Sequence, residues 1–353
     1  MFTSIIKQLT HLIYHVAILL TFLLTVKTAH SQDLTIEVSR VATIDLTSAD
    51  GLLMGEVEKA IIDDQKRVFI VDNGNKQVHY FDSNGQYIRS MGREGRGPGE
   101  FMRAVGATLS SDGSTFYLLD SPTAKIVSYD IQSGNNNDGI SLSNAAPVMT
   151  NDIIEFNGQI ILLGNHYAVE GDAMLHVLND NGEVIKSFGK FIDFSEFRHT
   201  NMGKSQLSIV KASSRENKML VSLAAPNRNK LFDTNLNLVH EFEDNLLPKP
   251  WIDHMIMTPE RYKTTFYSMM ANSQIISNEH YLYQWTEIID PSGPEIKMHL
   301  ELRDMSNGDV LGSYDIPENL TVYNFARIDD QSAYILTRNE SYDFEIYELN
   351  LRE

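Results

Sequence analysis

Val68 to Phe101 reads VFIVDNGNKQVHYFDSNGQYIRSMGREGRGPGEF and holds one complete repeat unit in its clearest form. Three apolar-alternating runs, Val68–Val71, Val78–Phe81 and Tyr87–Met91, are separated by the clusters Asp72-Asn73-Gly74-Asn75 and Asp82-Ser83-Asn84-Gly85. Alternation at period two marks strands, and Asn, Asp and Gly tolerate the backbone conformations of tight turns. The stretch is therefore the outer part of a four-stranded antiparallel meander. Gly92–Gly99 carries the chain onward, and Phe101 reads as an apolar plug where the next unit begins. A single four-stranded sheet cannot bury both its faces, so one such unit demands neighbours of its own kind.

Cues resembling Phe81-Asp82-Ser83-Asn84-Gly85 recur at Tyr129-Asp130…Gly134, Leu178…Gly182, Phe232…Asn235, Leu302…Gly308 and Tyr347…Asn350, which makes six units. Their spacing is irregular around a blade-sized period of roughly 50 residues, with the longest gap between the fourth and fifth. Each unit parses into an inner strand a, then b, c and an outer strand d. The last runs Val322–Ile328, Ala333–Arg338 and Phe344–Leu349, which leaves no sequence for its fourth strand. Val41–Leu46 is an alternating run with no unit of its own and is expected to supply it. The fold class is thus all-β: a six-bladed β-propeller of four-stranded antiparallel blades, the last closed by an N-terminal strand. Closure of this kind removes exposed sheet edges. A β-sandwich with long loops is the alternative.

Residues 1–31 read as a secretory signal peptide of the Sec type. Lys7 precedes the apolar stretch Val16–Val26, and Ala29-His30-Ser31 sets small residues for a cut before Gln32. The apolar run is short for a bilayer span, although an uncleaved anchor is an alternative. Residues 32–353 are expected to form one propeller domain, with 243–271 as a partly helical insertion between blades. The chain contains 0 Cys, which excludes a lipid-modified N-terminal Cys and a disulfide framework. The expected location is periplasmic or extracellular. A formal net charge of −18 argues against nucleic-acid binding, which needs clustered Lys and Arg. The expected state is a monomer with no membrane span after cleavage.

Val71-Asp72-Asn73-Gly74-Asn75-Lys76-Gln77-Val78, with Phe81–Gly85, Gly92 and Gly97-Pro98-Gly99-Glu100-Phe101, resembles an NHL repeat. The whole chain is similar to secreted six-bladed propeller proteins common in Bacteroidetes. The likeness is strong in the first blade, fair at Leu118–Asp130 and degenerate afterwards. It implies the fold and an envelope location, and it implies no single activity.

In a meander propeller the b–c loops and the d–a connections emerge on one face, termed the first face here; the a–b and c–d turns emerge on the second. First-face loops are the longer and more varied, so function is expected there. The glycines of Gly92–Glu100 could form an anion-binding nest, with Arg93 and Arg96 adding contacts; an inter-blade turn is the plainer reading. Gly92–Ala104, Gly189–Ser205 and Ala224–Lys230 are each net positive, which adds Arg198 and Arg228 to the candidates. In the insertion, Thr258-Pro259-Glu260 is a helix start, and Tyr262 and Phe266 continue an apolar stripe. With Trp251 upstream, the insertion reads as a brace over the ring or as a binding flap. His166 and Tyr167 form the remaining loop candidate.

The expected function is non-catalytic recognition of a protein, peptide or carbohydrate ligand through the loop-rich face, with no catalytic residue and no cofactor. The alternative is a metal-dependent hydrolase or lyase, lactonase-like or amidating-lyase-like, with a divalent ion on the axis. Glu58, Asn151, Asp152, His166, His254 and His280 are available, but they follow no metal-ligand spacing. Asn135–Gly139 lacks the bidentate Glu of a calcium loop.

Overall fold

The structure is a computed structural model. It describes residues 35–44, 46, 52–142, 149–165, 173–190, 210–215, 217–223, 228–243, 272–277, 279–288, 296–327 and 331–352. The segment read as a signal peptide and most of the segment read as an insertion, 243–271, lie outside these residues, and so do His166, Tyr167, Arg198, Trp251, Tyr262 and Phe266. Residues Thr35–Arg352 make one compact unit. Among the described residues no helix is long and apolar enough to cross a membrane.

Six four-stranded sheets form the blades. The chain opens with β1 (Thr35–Thr43), then builds blade 1 from β2 (Val57–Ile62), β3 (Val68–Asp72), β4 (Gln77–Phe81) and β5 (Tyr87–Met91). Blade 2 is β6 (Ala104–Leu109), β7 (Thr115–Asp120), β8 (Lys125–Asp130) and β9 (Asn136–Ser141); blade 3 is β10 (Met149–Phe156), β11 (Gln159–Asn165), β12 (Ala173–Leu178) and β13 (Val184–Lys190). Blade 4 is β14 (Val210–Arg215), β15 (Lys218–Leu223), β16 (Arg228–Asp233) and β17 (Leu238–Glu243), and blade 5 is β18 (Asn272–Ile275), β19 (His280–Ile288), β20 (Ile296–Asp304) and β21 (Val310–Ile316). Blade 6 joins β22 (Leu320–Arg327), β23 (Ser332–Asn339) and β24 (Phe344–Arg352) to β1, so strands from both ends of the chain share one sheet. Inner strand touches inner strand around the ring, β2 to β6, β10, β14, β18, β22 and back to β2.

Strand β3 shows why a ring is required. All five of its residues are buried, yet consecutive ones serve different interfaces. Val68 and Ile70 pack with Leu336, Phe344 and Ile346 of blade 6. Phe69 and Val71 pack with Phe101, Phe116 and Leu118 of blade 2. Each face of a pleated strand thus needs its own neighbour. Phe101 is the expected plug, fully buried between blades 1 and 2. The glycine before it is obligatory: Gly92 has φ +87°, and a Cβ there would lie 2.7 Å from Tyr129 Oη and 2.9 Å from a Phe101 ring carbon.

The closing strand lies upstream of its expected place. It is β1, Thr35–Thr43, rather than Val41–Leu46, because β24 runs on to Arg352 and Thr35 pairs with Arg352. Register breaks between Arg40 and Ala42, and the extra residue, Val41, is exposed. Arg40 Nη1 donates to Glu345 Oε1 at 2.8 Å, and Tyr347 Oη donates to the other oxygen at 2.9 Å. Burial, then the Glu345 carboxylate, push the Tyr347 phenol up to about 12.

Candidate functional site at the propeller axis

The inner strand of a blade is paired on one side only, so its second edge presents backbone N–H and C=O groups to the central channel. Four inner strands carry a bulge at the same height. Register breaks between Val57 and Lys59, Ala104 and Gly106, Thr150 and Asp152, and Val322 and Asn324. Lys59, Gly106, Asp152 and Asn324 therefore occupy equivalent positions in blades 1, 2, 3 and 6.

These positions tie the ring together. Lys59 Nζ donates to both oxygens of Asp152, at 2.6 and 2.7 Å, and to Ala107 O at 2.7 Å. Ala107 N donates to Asp152 Oδ1 at 3.3 Å. One ion pair thus spans blades 1 to 3 and satisfies both edge groups of a blade 2 residue. It crosses blade 2 where Gly106 has no side chain: a Cβ there would lie 2.7 Å from Asp152 Cα. Asn324 Oδ1 accepts from Ile62 N at 3.3 Å, and Ser213 Oγ of blade 4 accepts from Ile275 N of blade 5 at 3.2 Å.

Below Lys59 lies a cavity of about 660 Å³, lined by the inner strands and by the a–b turns of blades 1 to 3. This volume falls within the range of small-molecule sites. Its ionic groups are internally engaged. Arg67 Nε donates to Asp63 Oδ2 at 2.6 Å, and Ser111 N donates to Glu155 Oε2 at 2.7 Å, with the Ser111 hydroxyl on the same oxygen. Asp64 and Arg215 approach to 4.0 Å from blades 1 and 4. The Ser110 hydroxyl, then Ser114, hold the Asp112 carboxyl down at about 2. Hydroxyl and amide groups, including Thr108, Ser214, Asn157 and Gln274, complete the lining.

The cavity opens on the second face, among the short turns. Of the candidates on the first face, the structure describes Arg93 and Arg96 and the backbone of Arg228. Arg93 and Arg96 are exposed on the connection between blades 1 and 2. The segment is the inter-blade turn, and the nest weighed there is filled by the chain itself. Glu100 Oε2 accepts from Gly97 N at 2.8 Å and Oε1 from Arg93 Nε at 2.7 Å. The Gly97 N–H, then Arg93, hold the Glu100 carboxyl below the usual range. Arg228 opens β16, paired in register with Glu243.

Among the described residues, the groups weighed as axial metal ligands are not brought together. Asp152 holds Lys59, Glu58 Oε2 accepts from Asn73 Nδ2 at 3.0 Å, and His280 starts β19 opposite Asp304. His166, His254 and the Asn151 side chain lie outside the described residues. Among the described residues no group of three His, Cys, Asp or Glu could hold a metal ion. Asn136–Ser141 of the Asn-rich segment is strand β9.

A second polar arrangement lies inside the blades. His79, fully buried, is hydrogen-bonded to Ser90 Oγ at 2.7 Å through Nδ1 and faces Asp72 Oδ2 with Nε2 at 3.4 Å. Asp, His and Ser in a row suggest nucleophilic catalysis, but blade 3 repeats the pair without the acid. There His176 Nδ1 meets Ser187 Oγ at 2.8 Å and Nε2 meets Gly164 O at 3.0 Å. The recurrence marks a device for joining strands c and d. Asp72 also accepts from Gly55 N and Gly74 N, each at 2.8 Å, and Asp120 plays the same part in blade 2 for Met102 N and Arg103 N.

The profile of a family described as 6-bladed beta-propeller, DUF5128, matches residues 23–210. The chain belongs to this family. Among solved structures, the DUF5128 propeller is similar to a protein described as exported from Bacteroides fragilis, with TM-score 0.58 and 13% identity over 92% of this chain and 98% of that one. It is also similar to a DUF4221-family member from Bacteroides vulgatus, with TM-score 0.57 and 9% identity over 90% and 99% of the two chains. No curated protein matches it. At these identities the likeness concerns the fold.

Sequence reasoning weighed Asp152 as an axial group, for a metal rather than for a lysine, and did not find Lys59, Gly106 or Asn324 of the DUF5128 propeller. The faint signal was a polar or small residue ahead of each inner-strand run: Lys59-Ala60-Ile61, Gly106-Ala107, Asp152-Ile153-Ile154 and Asn324-Phe325-Ala326. The bulge displaces it from the period-two pattern.

Proposed function

We propose that this propeller is a non-catalytic binding module, exported to the periplasm or cell exterior, with the axial cavity as a ligand site. Its repeats read as NHL-type, blade 1 being the clearest, and its setting as the envelope of a Bacteroidetes cell. The observation that carries the reading is the cavity's chemistry: about 660 Å³ of space whose carboxylates and cations are engaged with protein partners. Such a lining offers little net attraction to an ion, and its hydroxyl and amide groups suit a neutral, hydrogen-bonding ligand such as a carbohydrate or a peptide terminus.

The test is calorimetric titration of the mature protein with neutral oligosaccharides and short blocked peptides, repeated on Gln274→Trp, which fills the cavity from β18. Loss of binding by a variant that melts like the wild type supports the axial site. Binding that survives Gln274→Trp but disappears when residues 251–270 are deleted moves the site to the loop-rich face.

A further inference from the structure

The c–d turns of the second face come in two lengths. In blades 1, 3 and 4 the turn closes with Asp82 N on Gln86 O, Asn179 N on Glu183 O and Asp233 N on Asn237 O. In blades 2 and 5 it is one residue longer, with Asp130 N on Asn135 O and Asp304 N on Asp309 O. Each longer turn faces strand d of the preceding blade across a groove, about 470 Å³ between blades 1 and 2 and about 490 Å³ between blades 4 and 5.

The groove between blades 1 and 2 holds polar groups that the chain leaves unclaimed. Arg89 pairs with Tyr80 beside a register break whose extra residue, Ile88, is 42% exposed at the rim. Lys186 has the same place in blade 3, and its Nζ donates to Asn235 O of the next blade at 3.1 Å. Arg89 makes no hydrogen bond and no ion pair among the described residues. Its stem lies along Gly134, where a Cβ would come within 2.8 Å of Arg89 Cδ. Asp130 Oδ1 accepts from Ser133 N at 2.7 Å and from Ser133 Oγ at 2.6 Å, while Oδ2 has no donor among the described residues. The other charges of the lining are engaged, Arg67 by Asp63 and Gly113 O, and Asp112 by Ser110 and Ser114. Tyr80 is held by stacking on Phe69, with ring centroids 4.8 Å apart. The groove between blades 4 and 5 lacks this set: Leu231 replaces Tyr80, and His240, packed on Phe242, replaces Arg89.

A guanidinium and a carboxylate oxygen thus line one open space without meeting. Arg67 and Arg89 are balanced there by Asp112 and Asp130, so the groove favours neither an anion nor a cation. A hydroxyl serves both groups, since it accepts from Arg89 and donates to Asp130. A ring that carries several hydroxyls also has a C–H face to set against Tyr80 and Ile88.

We propose that the groove between blades 1 and 2 is a second ligand site and takes one neutral sugar ring of a glycan. Arg89 and Asp130 Oδ2 bind neighbouring hydroxyls, and Tyr80 lies against the ring. This site is separate from the axial cavity and does not rest on that reading.

The probes are neutral hexasaccharides of glucose, mannose and xylose in different linkages, titrated into the mature protein by calorimetry. The wild type is expected to bind at least one. Asp130→Asn keeps an acceptor for Ser133 and removes Oδ2, and Arg89→Met keeps the stem and removes the fork. Each should weaken that binding about tenfold or more, the worth of a hydrogen bond to a charged group. Ile88→Trp, at an exposed position, should block the groove without disturbing the core, and it decides the matter if either other variant melts below the wild type. Lys186→Met, the matching change in blade 3, and Gln274→Trp in the axial cavity should leave the binding unchanged. Three results overturn the proposal: no hexasaccharide bound by the wild type, unchanged binding in a folded Arg89→Met or in Ile88→Trp, or binding lost in Gln274→Trp and kept in Arg89→Met.

Discussion

Gly106 is conspicuous for the atoms it lacks. A methyl group there would meet Asp152 Cα at 2.7 Å and Oδ1 at 2.9 Å, closer than side chains pack. Gly106→Ala should therefore displace Asp152 from Lys59 and lower stability by about 1–3 kcal/mol, read from urea unfolding. Lys59→Met leaves the nearly buried Asp152 carboxylate without its cation and should cost roughly 2–4 kcal/mol, while Lys59→Met/Asp152→Leu should recover most of that loss. A double variant that loses as much as Lys59→Met and Asp152→Leu lose in sum would show that the pair is not coupled. Titration of His79 gives a second test. Burial, opposed by Asp72, lowers its pKa below 6.5, so below that value the unfolded chain takes up the proton more readily than the native state. Its contribution is complete above the unfolded pKa and is lost as pH falls through and below it. For Asp72, burial raises the pKa, but the N–H groups of Gly55 and Asn75 and the His79 and Asn75 side chains outweigh it and leave it lowered. Its stabilisation is present above pH 3.8 and is lost in more acidic solution. The urea midpoint should drop between pH 7 and 5 in the wild type and drop less in His79→Gln. Parallel curves would exclude His79 as the source.

At the level of elements, the inter-blade connection 92–101 is a fastener that carries its own anion. Phe101→Ala should destabilise the fold by about 3–5 kcal/mol through the cavity left between blades 1 and 2, visible as a lower melting temperature. Glu100→Ala should cost less, because the groups it releases, Gly97 N and the exposed Arg93, can turn to water. Blade 1 was legible from sequence because its turns use Asn, Asp and Gly at fixed offsets and its strands alternate cleanly. Strand β9, Asn136–Ser141, has neither property: apart from Ile140 its residues are polar or glycine and exposed, and it is held by pairing with β8. Strand β1 was misplaced because the alternation of Val41–Leu46 is interrupted by a bulge that only β24 reveals. The axial ion pair was illegible for a different reason. Lys59 and Asp152 stand 93 residues apart, and their meeting depends on the curvature of three blades.

For the whole molecule, the closing pair β1·β24 decides whether there is a ring at all. A chain starting at Ile44 would lack β1, expose the edge of β24 and free Glu345 from Arg40. It should elute as aggregates or higher oligomers in gel filtration and lose a single sharp melt; a monomer with wild-type melting would show that five and three-quarter blades suffice. The same pairing sets the order of events in folding. Thr35 meets Arg352, so one of the first strands waits for one of the last before the sheet is complete. Contacts of such long sequence separation form slowly, after local hairpins have assembled. Until then blades 1 to 5 can exist as an open arc. Closure is then a late, all-or-none step that only a full-length chain can take, and it separates finished molecules from truncated ones without any other inspection.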